Sequence, residues 1–337
     1  MIEVVKPGLQ TTIQDGGRPG HLSKGIPCSG GQDSYALRMA ALLVGNSVPP
    51  APLTPGDPGD AGLEVLLRGP VLRFHRESVV AITGAETRAT LDGDQLPLWE
   101  SVRVPEGSIV DVGQAVRGMR SYVAVAGGID VPAYLGSRST YLPAGLGGLD
   151  GRALEAGDKL ATGSPHRPSG EVAGRCVPDD LISGPDMSEG VRVVLGPQAH
   201  LFTDDSVAEF LSAAWKLSPM SDRMGFRFEG PHLAFKPRES HLDTAAGADP
   251  SNIVDDVTPL GGVQVPGGME PIVMGMDFPS VGGYAKIATV ISVDLGKVGQ
   301  LRPGESIQFQ EVSVAAAEKA ASLRERVIRE QTLMPSG

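Results

Sequence analysis

Apolar residues along this chain come in short runs broken by glycine or proline. Val102-Arg103-Val104, Ser108–Val112, Tyr122–Ala126, Val191–Leu195, Ile272–Met276, Ala288–Val293 and Ser306–Val312 are rich in β-branched residues and bounded by such breakers, which predicts strands. Helical spacing is scarce. A helix is expected over Asp33–Val44, where Ala36, Leu37, Ala40, Leu43 and Val44 share a face, Asp33 or Ser34 caps the start and Gly45-Asn46 ends it. A second is expected over Asp204–Lys216, with Val207, Phe210, Leu211 and Ala214 as its stripe and Pro219 beyond its end. A third, Val314–Glu330, is polar enough to lie on a surface or on a partner. Strands and helices do not alternate regularly, so the expected fold class is mainly β, with closed or nearly closed barrels and few helices.

An internal repeat divides the chain. Glu3–Gln10 resembles Arg192–Gln198, Gly69–Phe74 matches Gly230–Phe235 as G-P-x-L-x-F, and Leu154–Leu160 matches Leu301–Ile307 as L-x-x-G-[DE]-x-[LI], in the same order in both halves. The expected organisation is an N-terminal β domain over 1–165 with a helical insertion, a linker over 166–190 rich in Gly, Pro and Ser, a C-terminal β-barrel over 191–313 and a helical tail over 314–337.

Composition narrows the function. Glycine (45) and proline (28) make up more than a fifth of the 337 residues, as many tight turns require. A net charge of −11 and 4% aromatic content leave neither a basic face nor stacking platforms, so nucleic acid and anionic membrane are not expected partners. The N-terminal decapeptide has no basic-then-apolar signal pattern, and the uncharged run Met39–Gly56 holds four prolines. With Cys28 and Cys176 far apart in sequence, the expected compartment is the cytoplasm.

No G-x-x-x-x-G-K-[ST], G-x-G-x-x-G, H-E-x-x-H or G-x-S-x-G motif occurs, nor a biotin-carrying lysine motif, and His21, His75, His166, His200, His232 and His241 are dispersed, so no metal site is expected. Polar residues concentrate instead in loops. Gln14, Asp15 and Arg18 sit beside Gly16-Gly17; Arg138 and Ser139 precede the glycine run Gly145–Gly151; Asp222 and Arg223 precede a strand; Gly283, Tyr284 and Lys286 follow one another in an otherwise apolar stretch. Such loops present donors and acceptors to a small polar ligand, and successive small residues expose backbone amides. Each also fits a turn held by its own ion pair, or in the case of Lys286 a strand-edge lysine facing water.

The stretches PGLQTTIQDGGR (Pro7–Arg18), QDSYALRMAALLVGN (Gln32–Asn46), GSRSTY (Gly136–Tyr141), AGLGGLDGR (Ala144–Arg152), SDRMGFR (Ser221–Arg227) and GGYAKIATVI (Gly282–Ile291) resemble the allophanate hydrolase subunit 2 family, also described as biotin-dependent carboxyltransferase-like or KipA-like. The C components of 5-oxoprolinase belong to it, and the resemblance runs from about residue 2 to 312. Asp249–Ile253 and Asp277–Gly283 are similar to the carboxyltransferase domain of urea carboxylase. The resemblance implies tandem cyclophilin-like β-barrels, a subunit 1 or KipI-like partner (the B component of 5-oxoprolinase), a separate hydrolase (the A component) and a small amide substrate. It implies a subunit, inactive alone, of a complex that uses ATP to open 5-oxoproline to glutamate. Its alternatives are a carboxyltransferase component served by biotin on another chain, and a non-enzymatic regulator of a kinase inhibitor. On the first of these readings Asp15, Asp222 and Lys286 are catalytic, the carboxylates orienting or accepting protons and Lys286 near the amide oxygen. Gln14, Arg18, Arg138, Ser139, Arg223, Gly283 and Tyr284 bind substrate, Arg138 and Arg223 through its anionic groups.

Overall fold

A computed structural model describes residues 1–182, 190–237, 247 and 249–336, so His241 and residues 183–189 of the expected linker lie outside the described residues. The chain is mainly β and forms two compact units: Met1–Gly20, Ser29–Pro185 and Leu323–Gly337 in the first, His21–Cys28 and Asp186–Ser322 in the second.

The first unit packs two antiparallel sheets. One runs in the order Lys159–Leu160, Ile2–Lys6, Val71–Phe74, Ile109–Asp111, Thr90–Leu91, Asp94–Gln95; the other runs Gln10–Gln14, Gly62–Leu66, Ala115–Val125, Ser78–Thr87, Ser101–Val104. Strand alternation divides the second sheet between two cores. Val80, Ile82, Val123 and Val125 join Ile2, Val4, Leu72 and Phe74 in the core shared by the sheets. Val79, Ala81, Tyr122 and Ala124 face the helix Ser34–Leu43, whose Ala36, Met39, Ala40 and Leu43 are buried. Because both faces of these strands are covered, they read as unbroken apolar runs. The helix begins where expected: the Asp33 carboxylate accepts from the Ala36 amide at 3.1 Å. It ends at Gly45, whose φ of +73° is a left-handed conformation that glycine adopts without strain.

Residues 169–182 depart from the linker expectation. They form a short helical turn, Ser169–Val172, and bury Val172 and Val177 in the core around the Ser34–Leu43 helix. In the tail, the helix Val314–Val327 buries none of its residues; toward its C-terminal end Arg38 forms a bidentate pair with Glu325 at 2.6 and 2.7 Å, and Ile328 joins the core around the Ser34–Leu43 helix.

The second unit holds an eight-stranded sheet in the order Ser306–Ile307, Trp215–Leu217, Gly225–Glu229, Ile272–Met274, Gly262–Gln264, Lys286–Val290, Val191–Leu195, Phe309–Glu311. Its two edge strands are separated in sequence by Gln308 alone, so the sheet curls into a nearly closed barrel around Trp215, Phe226, Phe228, Val263, Ile287 and Phe309. The expected helix Asp204–Lys216 stops at Ser212, because Trp215 and Leu217 alternate into the barrel as a strand. The repeat is uneven too. Gly157 and Gly304 make matching left-handed turns before edge strands, with φ of +91° and +92°. Of the G-P-x-L-x-F copies only the first is a strand; Phe235 makes a lone bridge to Phe202. Beside the barrel, Asn252–Val257 pairs with Val281–Tyr284 in a two-stranded ribbon.

Candidate functional site

In the first unit the polar loops close on one another. Asp15 is fully buried. Its Oδ1 accepts from the hydroxyls of Ser137 and Ser139, both at 2.6 Å, and from the Gly17 amide at 2.8 Å, while Oδ2 accepts from the Arg138 amide at 2.6 Å. Gln14 bridges Thr12 Oγ1 and the Thr140 carbonyl and accepts from the Gly30 amide. Arg18, 1% exposed, donates to the carbonyls of Tyr134 and Ser139. A carboxylate holding four donors is a clasp rather than a proton acceptor. Arg138 is tied to the Val131 carbonyl and lies 3.9 Å from Asp130, with its side chain a third exposed.

The glycine run Gly145–Gly151 departs from the expected donor array. The amides of Gly145, Leu146, Gly148 and Gly151 donate to the carbonyls of Leu142, Tyr141, Arg138 and Gly147. A Cβ on Gly147 or Gly148 would collide with Ser139 or Thr140. These glycines permit close packing of the clasp, and the amides of Gly145, Gly148 and Gly151 are spent within the loop.

In the second unit Asp222 is exposed and caps a turn, accepting from the amides of Met224 at 2.8 Å and Gly225 at 3.1 Å. Arg223 pairs with Asp277 at 2.8 Å, and both side chains are largely buried. The pair fastens the turn to the loop after the Ile272–Met274 strand, where the Asp277 amide returns to the Arg223 carbonyl.

Lys286 is different. The expected strand Ala288–Val293 begins two residues earlier, which puts Lys286 on it and turns its side chain away from the barrel core toward the ribbon, where it is 2% exposed. Its Nζ lies 3.1 Å from Asp256 Oδ2 on the ribbon, without an aligned hydrogen bond. The ammonium, the Val257 amide and the Gln198 side chain hold the Asp256 carboxyl below the usual carboxylate range. An ammonium carries three donors, so at least two protons of Lys286 are uncommitted in a nearly dry setting. Gln198 steadies the pair, donating to Asp256 at 3.3 Å and accepting from the Lys286 amide at 3.4 Å. Directly across the sheet from Lys286 stands Gln264, 5% exposed, whose Nε2 has no partner; Thr258, 1% exposed, has none for its hydroxyl. Gly283 and Tyr284 belong to the ribbon, Tyr284 at 41% exposure opposite Asn252.

This corner of the barrel therefore holds buried, uncommitted donors and one screened carboxylate, a set suited to an oxygen that gains negative charge. Sequence reasoning found Lys286 and missed Asp256, Gln198, Gln264 and Thr258. The available signal was the β register of G-V-Q at Gly262–Gln264 against the lysine strand. Among the described residues no group of three or more His, Cys, Asp or Glu could hold a metal ion, and no helix is long and apolar enough to cross a membrane.

Comparison with known proteins agrees with this architecture. The family described as "Carboxyltransferase domain, subdomain A and B" matches residues 24–311. The chain is 39% identical over 333 residues to urea amidolyase of Saccharomyces cerevisiae, covering 96% of this chain and 17% of that protein, about a sixth of its length. It is 36% identical over 328 residues to the C component of 5-oxoprolinase from Escherichia coli, covering 97% of this chain and 96% of that one. The crystal structure of Kluyveromyces lactis urea carboxylase superposes with a TM-score of 0.87 at 35% identity, over 100% of this chain and 30% of that chain. By sequence and by fold, the chain belongs to the carboxyltransferase domain family, subdomains A and B.

Proposed function

We propose that this chain is one component of a multi-subunit, cytoplasmic hydrolase complex that opens 5-oxoproline to glutamate with ATP. Its expected companions are a subunit 1 or KipI-like protein (the B component of 5-oxoprolinase) and a separate hydrolase, the A component. The observation that carries this reading is the end-to-end match to a C component of 5-oxoprolinase, a protein with little length beyond the part this chain covers. ATP supplies the driving force for opening a stable lactam, and no step of it is assigned to this chain.

The chain's own residues would hold the amide. Lys286, presented on a strand and steadied by Asp256 and Gln198, places positive charge where the lactam oxygen gains electron density as water adds to its carbon. Fixed donors in a dry setting need no reorganisation at that moment. Asp15, Gln14, Arg18 and Ser139 would shape the first unit's loop rather than touch substrate, and Asp222 and Arg223 would hold the second unit's turn. Gly283 and Tyr284, on the ribbon, remain reachable as contacts to substrate there; Arg138 is partly exposed on the first unit's own loop.

A second reading, the carboxyltransferase component of a urea or amide carboxylase, is favoured by the higher identity to urea amidolyase and the superposition on urea carboxylase. Biotin on another chain would then supply the carboxyl group, and Lys286 would face the oxygen of the accepting amide.

Reconstitution with the neighbouring subunits tests both. The first reading expects glutamate and ADP to form from 5-oxoproline only when all components are present, and this chain alone to be inactive. Carboxylation of urea that depends on bicarbonate and a biotin carrier, with no 5-oxoproline turnover, would replace it with the second. Turnover by the isolated chain would overturn both.

A further inference from the structure

Gly282 stands on the ribbon directly opposite Asp256, the carboxylate paired with Lys286. Its backbone is not left-handed, so the position does not need glycine for conformational reasons. It needs glycine for space: a Cβ there would collide with Gln264 Nε2 and lie 3.1 Å from Thr258 Oγ1. These are the amide and the hydroxyl that lack partners although their residues are 5% and 1% exposed. A buried, unmatched amide N–H or hydroxyl costs about 1–3 kcal/mol each. Two of them converging on the one residue without a side chain, next to a lysine with uncommitted protons, is a costly arrangement for a fold that uses none of them.

We infer that Gln264, Thr258 and Gly282 form an acceptor subsite that takes the sp2 oxygen of a neutral planar amide, a lactam or a ureide. The charge arrangement selects this class. Lys286 is already balanced by Asp256. What the subsite adds is an amide N–H and a hydroxyl, both neutral, and a carboxylate would be drawn out of water without a net counter-charge. A neutral amide oxygen gives up less hydration and has two lone pairs, one for each donor. Gly282 contributes by leaving room beside the strand for the Gln264 amide, which a side chain there would displace. The inference rests on reading the Lys286 corner as the place where an amide is handled.

The test is equilibrium binding to the intact chain, followed through the side-chain amide signal of Gln264 in nitrogen-15 NMR and assigned by its loss in Gln264→Leu. Titration with 2-pyrrolidinone is expected to shift this signal saturably, and acetate at the same concentrations is not. Thr258→Val, nearly isosteric, is expected to weaken pyrrolidinone binding about fivefold, the equivalent of one neutral hydrogen bond. Gly282→Ala is expected to weaken it at least as much by displacing the Gln264 amide. A Gln264 signal that pyrrolidinone does not move would overturn the subsite, as would acetate binding as well as pyrrolidinone or an affinity unchanged in both variants. Binding is read without ATP, partners or turnover. A complex that fails to open 5-oxoproline therefore removes the proposed function and leaves the subsite standing, and the reverse result is equally separable.

Discussion

Replacing Lys286 by methionine separates catalytic from structural use of a buried charge. At an effective dielectric of about 20, unit charges at the 3.1 Å separation of Lys286 and Asp256 attract by about 5 kcal/mol. Removing a lysine ammonium from water costs several kcal/mol, and the Asp256 side chain, 45% exposed, is further screened, so the pair contributes close to nothing net. Methionine fills nearly the same volume without the desolvation cost, and the remaining Asp256 stays in water. The variant should melt within about 4 °C of wild type, since about 1 kcal/mol moves a unit of this size by roughly 2–4 °C. Its turnover in the reconstituted complex should fall about 10²–10³-fold, the loss typical of one donor to a developing oxyanion. Asp256→Asn provides the opposite perturbation. It leaves the ammonium buried without its counter-charge and should lower the melting temperature by several degrees. Calorimetry of the chain and turnover of the complex measure the two effects. A Lys286→Met chain that loses much of its stability while the complex keeps its rate would show that the lysine is a strut and not a donor to the substrate.

Other residues are expected to fail in stability first. Asp15→Asn replaces an acceptor that holds four donors and should destabilise the first unit by about 2–4 kcal/mol, read by thermal melting; unchanged melting with lost turnover would restore Asp15 as a catalytic group. Arg223→Ala leaves Asp277, 4% exposed in its side chain, without the guanidinium and should cost about 3–5 kcal/mol, measured by urea denaturation. Arg38 holds the Glu325 carboxyl below its ordinary value of 4.5. Its stabilising contribution is therefore complete above that value and is lost as pH falls through the lowered native value, and Glu325→Gln should flatten this part of an acid melting series.

How far the sequence reveals the molecule depends on the range of the interactions. The cap at Asp33 and the stop at Gly45 are local, and both were legible. Trp215 was not: two apolar residues after a helical stripe fit another helical turn or the start of a strand, and only the Ser306–Ile307 and Gly225–Glu229 neighbours decide for the strand. The loop at Gln14–Arg18 was found by its polar density, but its chemistry was hidden because three of the four donors to Asp15 lie 122 to 124 residues onward. Seen alone, a carboxylate beside glycines looks available; with Ser137 and Ser139 in place it is fully engaged. Lys286 shows the reverse. Its apolar surroundings hinted at burial, while Gln264, with no motif around it, became visible only through the register that sets it against Lys286.

If the Lys286 corner handles an amide oxygen as proposed, the same donors would serve a lactam or a urea. A lactam being hydrolysed gathers negative charge on its oxygen as water adds; a urea being carboxylated gathers it on its oxygen as nitrogen is deprotonated and becomes the nucleophile. Donors fixed around that oxygen serve either reaction, and none of Lys286, Gln264 or Thr258 distinguishes the atom that attacks. The difference between the reactions lies in the co-reactant brought to the amide: water with ATP turnover in one, a carboxyl group on a carrier in the other. Lys286→Met should therefore lower whichever of the two activities the complex has by the same factor of about 10²–10³, and the dependence of wild-type turnover on bicarbonate and carrier decides which one that is. A variant that kept its maximal rate and needed only more of the co-reactant would mean that the lysine contacts the co-reactant instead of the amide oxygen.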